Sequence, residues 1–177
     1  MSNEKKPASK LRDVLSWLLC LAAAVVAALI INRYILLNSN VISGSMENTV
    51  MTGDRVFGLR FAYWFHGPER GDVVIFNNVQ KGERLMIKRV IGVAGDQVII
   101  IDGRVYVNGE QLDEPYLPEP MRGSYGPYTV PDGCVFLLGD NRNLSLDARS
   151  WPNPYIPVED VLAKAWLIYW KGIRLVR

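Results

Sequence analysis

The fold of this 177-residue chain is decided by the stretch Val98-Ile99-Ile100-Ile101-Asp102-Gly103-Arg104-Val105-Tyr106-Val107. Two runs rich in β-branched residues flank Asp102-Gly103, a two-residue loop that favours a type I′ hairpin turn. Asn108-Gly109 then offers the next chain reversal. The stretch therefore predicts antiparallel strands rather than helices.

The same pattern of short β-branched and aromatic runs extends through the rest of the chain after residue 37. These runs are separated by Gly, Pro, Asn and Asp, and they cover residues 55–59, 72–77, 84–93, 97–101, 104–107, 128–130 and 134–138. Residues 161–170 fit either a helix or a strand, and the alternation of Trp166, Ile168 and Trp170 favours a strand. Five prolines within residues 113–133 predict a long surface excursion. We expect an all-β, antiparallel, coiled or barrel-like domain.

The N-terminal part has a different character. Residues 14–31 are almost continuously apolar, Asn32 and Arg33 interrupt the run, and residues 34–37 continue it. About 20 helical residues cross a bilayer core, so the run predicts one transmembrane helix. A cleaved signal peptide is the alternative, but this run exceeds the usual ~7–15 apolar residues.

Basic residues before the span set the expected orientation, and they are Lys5, Lys6, Lys10 and Arg12. Positive charges stay on the cytoplasmic side. The predicted organisation is a cytoplasmic tail (1–13), a transmembrane anchor (14–37) and an extracytoplasmic β-rich domain (38–177).

Composition excludes several classes of function. A net charge of +2 without a basic stripe argues against nucleic-acid binding. Cys20 lies inside the apolar run and Cys134 lies far away in the β-rich part, so the sequence predicts neither a disulfide between them nor a zinc site. We expect no metal and no cofactor. The single histidine, His66, sits in a loop-like stretch and is better interpreted as a surface residue than as the base of a Ser-His-Asp triad.

Two short stretches carry the candidate chemistry, Ser43-Gly44-Ser45-Met46 and Ile87-Lys88-Arg89-Val90. A serine hydroxyl needs a base, and a lysine can serve when burial lowers its pKa. In a strand, Lys88 has apolar neighbours on its own face and on the other. Taken alone, Ser-Gly-Ser is typical of a turn and Lys88 of an edge-strand lysine, so neither stretch suffices by itself.

Together, four blocks in order after an anchor resemble the bacterial type I signal peptidases, a family of membrane-anchored proteases with a serine–lysine dyad. They are Ser43-Gly44-Ser45-Met46-Glu47-Asn48-Thr49, Arg70-Gly71-Asp72-Val73-Val74-Ile75-Phe76, Lys88-Arg89-Val90-Ile91-Gly92-Val93-Ala94-Gly95-Asp96 and Gly139-Asp140-Asn141-Arg142-Asn143-Leu144-Ser145-Leu146-Asp147-Ala148-Arg149. The chain departs from the family's pattern at Asn48 and Ala94, where prolines are usual, and at Asn143-Leu144, where Asp-Asn is usual.

The resemblance implies a role for each matching residue. Ser45 would be the nucleophile and Lys88 the general base, while the Ser43 hydroxyl and the Ser45 N–H would form the oxyanion hole. The supporting residues would be Ser145, which orients the lysine amine, and the ion pair of Asp147 with Arg149. Alternation would also place these three on one face of an extended segment. Proximity to the dyad marks four candidates for the substrate pocket: Ile42, Met46, Met86 and Ile87.

The expected function is removal of signal peptides from exported preproteins after small-x-small motifs, at the bacterial plasma membrane. The expected partners are preprotein signal peptides, the lipid bilayer and a translocation channel. Two further alternatives stay open from the sequence: a specialised serine–lysine protease that matures pilin or conjugation proteins, and a non-catalytic, membrane-tethered β-domain that binds peptides. A self-cleaving repressor is disfavoured because it would lack the anchor.

Overall fold

The computed structural model describes residues 7–78, 80, 82 and 84–177, which form two compact units divided between Ile35 and Leu36. Residues 1–6 of the predicted cytoplasmic tail lie outside the described residues. The first unit contains helix α1, Pro7–Ile30, followed by one π-helical segment, Ile31–Ile35. Helical residues Lys10–Ile35 are long and apolar enough to cross a membrane, with a mean hydropathy of 2.8 and no burial inside the protein.

The helix and the predicted anchor have different bounds. Helix α1 begins at Pro7, within the segment assigned to the tail. At the other end, Leu36 and Leu37, which were assigned to the anchor, begin the first β-strand. Both leucines continue the apolar run, so hydropathy does not show where the helical segment ends and the strand begins. Strand pairing with Leu59 and Gly58 marks it instead.

The second unit is built from strands. They are β1 (Leu36–Asn40), β2 (Arg55–Leu59), β3 (Val73–Asn78), β4 (Arg84–Gly92), β5 (Gln97–Ile101), β6 (Arg104–Val107), β7 (Glu110–Gln111), β8 (Tyr125–Thr129), β9 (Cys134–Leu138), β10 (Tyr155–Pro157), β11 (Val161–Ile168) and β12 (Arg174–Leu175). Among the described residues, the larger sheet has the order β1-β2-β11-β3-β4-β9-β10 with β12 beside β11, and it curls into a half-barrel. The smaller sheet has the order β7-β6-β5-β8.

Every strand pairing in these two sheets is antiparallel, and the predicted fold class is confirmed. The predicted hairpin is also confirmed. Ile101 pairs with Arg104 across Asp102-Gly103, and both loop residues have positive φ (47° and 77°), as a type I′ turn requires.

Strand β3 lies at the centre of the core because both of its faces are buried. Val74 and Phe76 belong to one apolar cluster, and Val73 and Ile75 belong to another. The first cluster continues across β4 and β9 and into the smaller sheet. The second includes Met46 and so anchors the turn that holds Ser45. These two clusters therefore fix the positions of the two stretches that the sequence marks as chemical.

Candidate active site

Ser45 lies in a short turn that is held in place by the buried side chain of Met46. Ser43 has extended backbone (φ −135°, ψ 152°), and Gly44–Met46 then form one turn of 3₁₀-helix. The Met46 side chain is only 1% exposed and packs in the apolar cluster under the turn. Burial of one large apolar side chain contributes about 1.5–3 kcal/mol, which secures this turn to the sheet.

The turn is also braced by the segment that follows β9. The Asn141 N–H donates to the Ser45 carbonyl (3.1 Å), and Asn141 Nδ2 donates to the Gly44 carbonyl (3.0 Å). Gly139 lies so close that a Cβ there would come within 2.4 Å of the Ser45 carbonyl oxygen and 2.2 Å of Ser145 Oγ. A side chain at position 139 is therefore excluded by the backbone of the Ser45 turn.

Lys88 lies in the middle of β4, directly opposite Val74 of β3, and is 1% exposed. Its same-face neighbours, Met86 and Val90, pack in or against the first apolar cluster, as the sequence predicts. Burial lowers the pKa of Lys88 from 10.5 to about 8. Asp147 and Asp140 oppose this by stabilising the charged amine, and Arg149 reinforces it.

The three serine hydroxyls predicted for the site make few hydrogen bonds. Ser43 Oγ lies 3.4 Å from Ser45 Oγ. Ser145 Oγ is buried and has no hydrogen-bond partner within the described part of the chain. In the same set of residues, no hydrogen bond joins Ser45 Oγ to the Lys88 amine. Buried polar atoms are nearly always satisfied, so the Ser145 hydroxyl has an unused capacity for hydrogen bonding beside the site.

Residues 139–149 form turns rather than the extended segment expected from alternation. The expectation of a shared strand face is therefore wrong, but the side chains still converge. Asp147 Oδ2 accepts from the Gly139 N–H (3.1 Å) and pairs with Arg149 Nη2 (2.8 Å). The turns wrap these groups around Gly139, because its missing side chain leaves room for them.

A second buried ion pair was not anticipated from the sequence. Arg89 binds Asp140 through two parallel bonds, from Nε to Oδ1 (2.9 Å) and from Nη2 to Oδ2 (2.7 Å), with exposures of 3% and 0%. Such bidentate pairs fix geometry as well as charge. The sequence contains two signals for this pair. Arg89 directly follows Lys88, and Asp140 belongs to the last of the four blocks.

A groove of about 570 Å³ unites these elements. Its lining comes from residues 39–47, residues 85–88, and Asn141, Leu144 and Leu146. Ser43, Ser45 and Lys88 all lie on this lining, as do the four residues predicted for the pocket: Ile42, Met46, Met86 and Ile87. The pocket candidates differ in exposure, from 87% for Ile42 to 1% for Met46.

The groove lining does not include the three predicted supporting residues, Ser145, Asp147 and Arg149. Asp147 and Ser145 lie instead against Gly139, which is next to the Ser45 turn. His66 is also absent from the groove lining, and its side chain is 58% exposed. Ser45 and Lys88, the predicted nucleophile and base, therefore line the same groove.

Comparison with known proteins places the chain in a family. Residues 14–170 match the family model described as signal peptidase, peptidase S26. The chain is 37% identical over 155 residues to a probable signal peptidase I-2 of Synechocystis, covering 85% of this chain and 70% of that protein. It is 34% identical over 157 residues to a signal peptidase I of Bacillus licheniformis, covering 83% and 84%.

Among solved structures, the crystal structure of a signal peptidase I from Enterococcus faecalis has 29% sequence identity and a TM-score of 0.49. It covers 55% of this chain and 95% of that one. From the family match and the relatives, the chain belongs to the signal peptidase family, peptidase S26. The predicted family and the predicted endopeptidase class are confirmed.

Proposed function

We propose that this protein removes signal peptides from exported preproteins, with Ser45 as the nucleophile and Lys88 as the general base. The observation that carries the proposal is Lys88, a residue only 1% exposed, which lies on the groove that Ser45 also lines. A pKa of about 8 leaves roughly one amine in ten neutral at pH 7. An ordinary lysine would be neutral in only about one molecule in 3,000.

The chemistry follows from these positions. Neutral Lys88 takes the proton of Ser45 as Oγ attacks the scissile carbonyl, and it later gives that proton to the leaving amine. The Ser43 hydroxyl and the Ser45 N–H stabilise the oxyanion, at about 3–4 kcal/mol per donor. The unpartnered Ser145 hydroxyl orients the Lys88 amine when the groove is occupied. Water then hydrolyses the acyl-enzyme.

Free strand edges supply the binding mode for an extended substrate. Strand β1 is at the end of the larger sheet, and the pairing of β9 with β4 begins only at Arg89. Among the described residues, the backbone of residues 85–88 therefore pairs with β3 alone. A peptide lying in the groove can form main-chain hydrogen bonds with residues on both sides of it. Ile42, Met46, Met86 and Ile87 then provide apolar pockets that accept small side chains.

We also propose the membrane arrangement. Helix α1 anchors the chain in the bacterial plasma membrane, with the basic N-terminus in the cytoplasm and the β-rich unit outside. Preproteins would reach the groove as they leave a translocation channel. This arrangement is supported by the apolar length of Lys10–Ile35 and by the lysines and arginine that precede residue 13.

The test uses the full chain in detergent and a preprotein with an Ala-x-Ala site. Ser45→Ala and Lys88→Met should each lower cleavage by at least about a thousandfold, the usual effect of removing a nucleophile or its base. Ser124→Ala and Lys164→Met are the matched controls, because both residues lie outside the groove. Full cleavage by either active-site variant contradicts the proposal.

A further inference from the structure

The chain makes a defined turn directly after the proposed nucleophile. Residues Met46 to Thr49 form a β-turn, closed by a hydrogen bond from the Thr49 N–H to the Met46 carbonyl (3.1 Å). Glu47 has φ −55° and ψ 147°, and Asn48 has φ 85°. These angles define a type II turn, whose third position requires a positive φ and therefore Gly or Asn. Asn48 satisfies this backbone requirement.

The Asn48 side chain makes a second connection. Its Nδ2 donates to the backbone carbonyl of Tyr116 at 2.7 Å, a residue 68 positions further along the chain. Tyr116 belongs to the proline-rich excursion, and its ring lies 3.8 Å from the guanidinium carbon of Arg89. This is the distance of a close cation–π contact. Asn48 is thereby connected to the residue that directly follows Lys88.

The connection closes into a ring. Arg89 holds Asp140 through its bidentate pair, and Asp140 Oδ2 accepts a hydrogen bond from Thr49 Oγ1 (2.5 Å). Thr49 is the sequence neighbour of Asn48, so the path from Asn48 through Tyr116, Arg89 and Asp140 returns to the turn. Two paths therefore join the turn after Ser45 to the strand that carries Lys88. One path runs from Asn48 through Tyr116 to Arg89, and the other runs from Thr49 through Asp140 to Arg89.

We propose that Asn48 is a positioning residue for the reaction. Its positive φ shapes the turn, and its amide fixes that turn against Tyr116 and Arg89. The turn that follows Ser45 is thereby held in a fixed position against the strand that carries Lys88. This inference rests on the proposed roles of Ser45 and Lys88. Asn48 follows Glu47, which lines the groove, but is not itself among the lining residues.

Two substitutions separate the two contributions of Asn48. Asn48→Gly keeps the positive φ and removes the amide, whereas Asn48→Pro removes the amide and fixes φ near −65°. Glu47 already has the extended backbone that precedes proline, so the obstacle to proline is the φ of residue 48 itself. A proline at position 48, which is usual in the type I signal peptidases, should therefore lower the activity of this chain.

The matched control is Asn108→Gly. Asn108 also has positive φ (54°), and its Nδ2 also donates across the fold, to Asp96 Oδ1 at 2.8 Å. It lies after β6 in the smaller sheet and is not on the groove lining. The Asn108 amide also accepts a hydrogen bond from the Gln97 N–H (2.9 Å), so Asn108→Gly removes at least as many hydrogen bonds as Asn48→Gly. Even so, only the change at position 48 should affect the reaction.

The experiment measures kcat and KM for an Ala-x-Ala peptide, per active site counted by an acylating inhibitor, on the full chain in detergent. Counting sites removes unfolded enzyme from the comparison. Asn48→Gly should lower kcat about threefold to tenfold, the effect of losing one hydrogen bond, with KM within about twofold. Asn48→Pro should lower kcat more than about tenfold, and Asn108→Gly should keep the kcat of the unaltered chain.

Three results would overturn this proposal without touching the proposed function. They are an unchanged kcat for Asn48→Gly, an unchanged kcat for Asn48→Pro, and an equal loss in Asn108→Gly. In each of these cases Ser45→Ala would still be inactive. Activity in Ser45→Ala would instead contradict the proposed function, and the two failures are therefore distinguishable.

Discussion

Replacing Lys88 with methionine should stabilise the folded protein while it removes the proposed base. The two side chains have similar volume, but the lysine amine must be buried among apolar residues. The fall of its pKa from 10.5 to about 8 corresponds to about 3 kcal/mol of destabilisation of the charged form. Methionine carries no such cost, so the variant should be more stable near neutral pH.

The direction of the pH effect follows from proton binding. Below pH 8, the folded and unfolded states both hold the Lys88 proton, and the whole cost is present. Between about pH 8 and 10.5 the unfolded state holds more protons, so the stability of the unaltered protein rises with pH. The stability difference between Lys88→Met and the unaltered chain should therefore shrink by about 3 kcal/mol from pH 7 to pH 10.5.

The assay is denaturant unfolding of both proteins in detergent at pH 7 and pH 10.5, followed by tryptophan fluorescence. Lys164→Met is the comparison for a half-exposed strand lysine (43% at its side chain) that is paired with Asp72, and its stability difference should not follow the pH dependence expected for a buried amine. A stability difference that stays constant across this range would refute the reasoning, because it would mean that burial imposes no cost on the Lys88 charge.

Further predictions concern the rate and its geometry. The rate kcat/KM should rise with pH and level off above about pH 8, as Lys88 loses its proton; a flat profile from pH 6 to 9 would contradict this. Asp147→Asn should shift that rise to lower pH, because Asp147 stabilises the charged amine; a shift to higher pH would oppose it. Gly139→Ala should reduce cleavage more than about tenfold, since the new Cβ meets Ser45 and Ser145; normal cleavage would disprove the packing.

Local signals predicted much of the fold. The bounds of β5 and β6 follow from the sequence because a two-residue Asp-Gly loop sets both their ends and their register. Strand β1 was missed because its leucines continue the apolar run of the anchor. Strands β7, β10 and β12 have two or three residues each, too few for a period to be visible.

The proline-rich excursion shows what local patterns cannot supply. Prolines and glycines in residues 113–133 indicate loops, yet strand β8 (Tyr125–Thr129) lies in this range, and Met121 is 5% exposed and belongs to the core. Arg142 forms a bidentate pair with Glu114, 28 residues away, and is itself fully buried. Such pairs depend on how the sheets close, and no short stretch of sequence contains that information.

The candidate site was more predictable than the loops around it. Lys88 has apolar neighbours on both faces of a strand, a pattern that fits a buried lysine and an edge-strand lysine alike, and the order of the four blocks decided between them. The ring through Asn48, Tyr116 and Arg89 joins three distant segments and could be found only from the structure.

The most direct test of the central claim is the titration of the Lys88 amine itself. Nuclear magnetic resonance of the full chain in detergent, labelled at the lysine Cε and assigned by comparison with Lys88→Met, reports this pKa without reference to activity. The midpoint should lie at about pH 8. A midpoint near 10.5, the value for a lysine in water, would contradict the role of Lys88 as the base that activates Ser45.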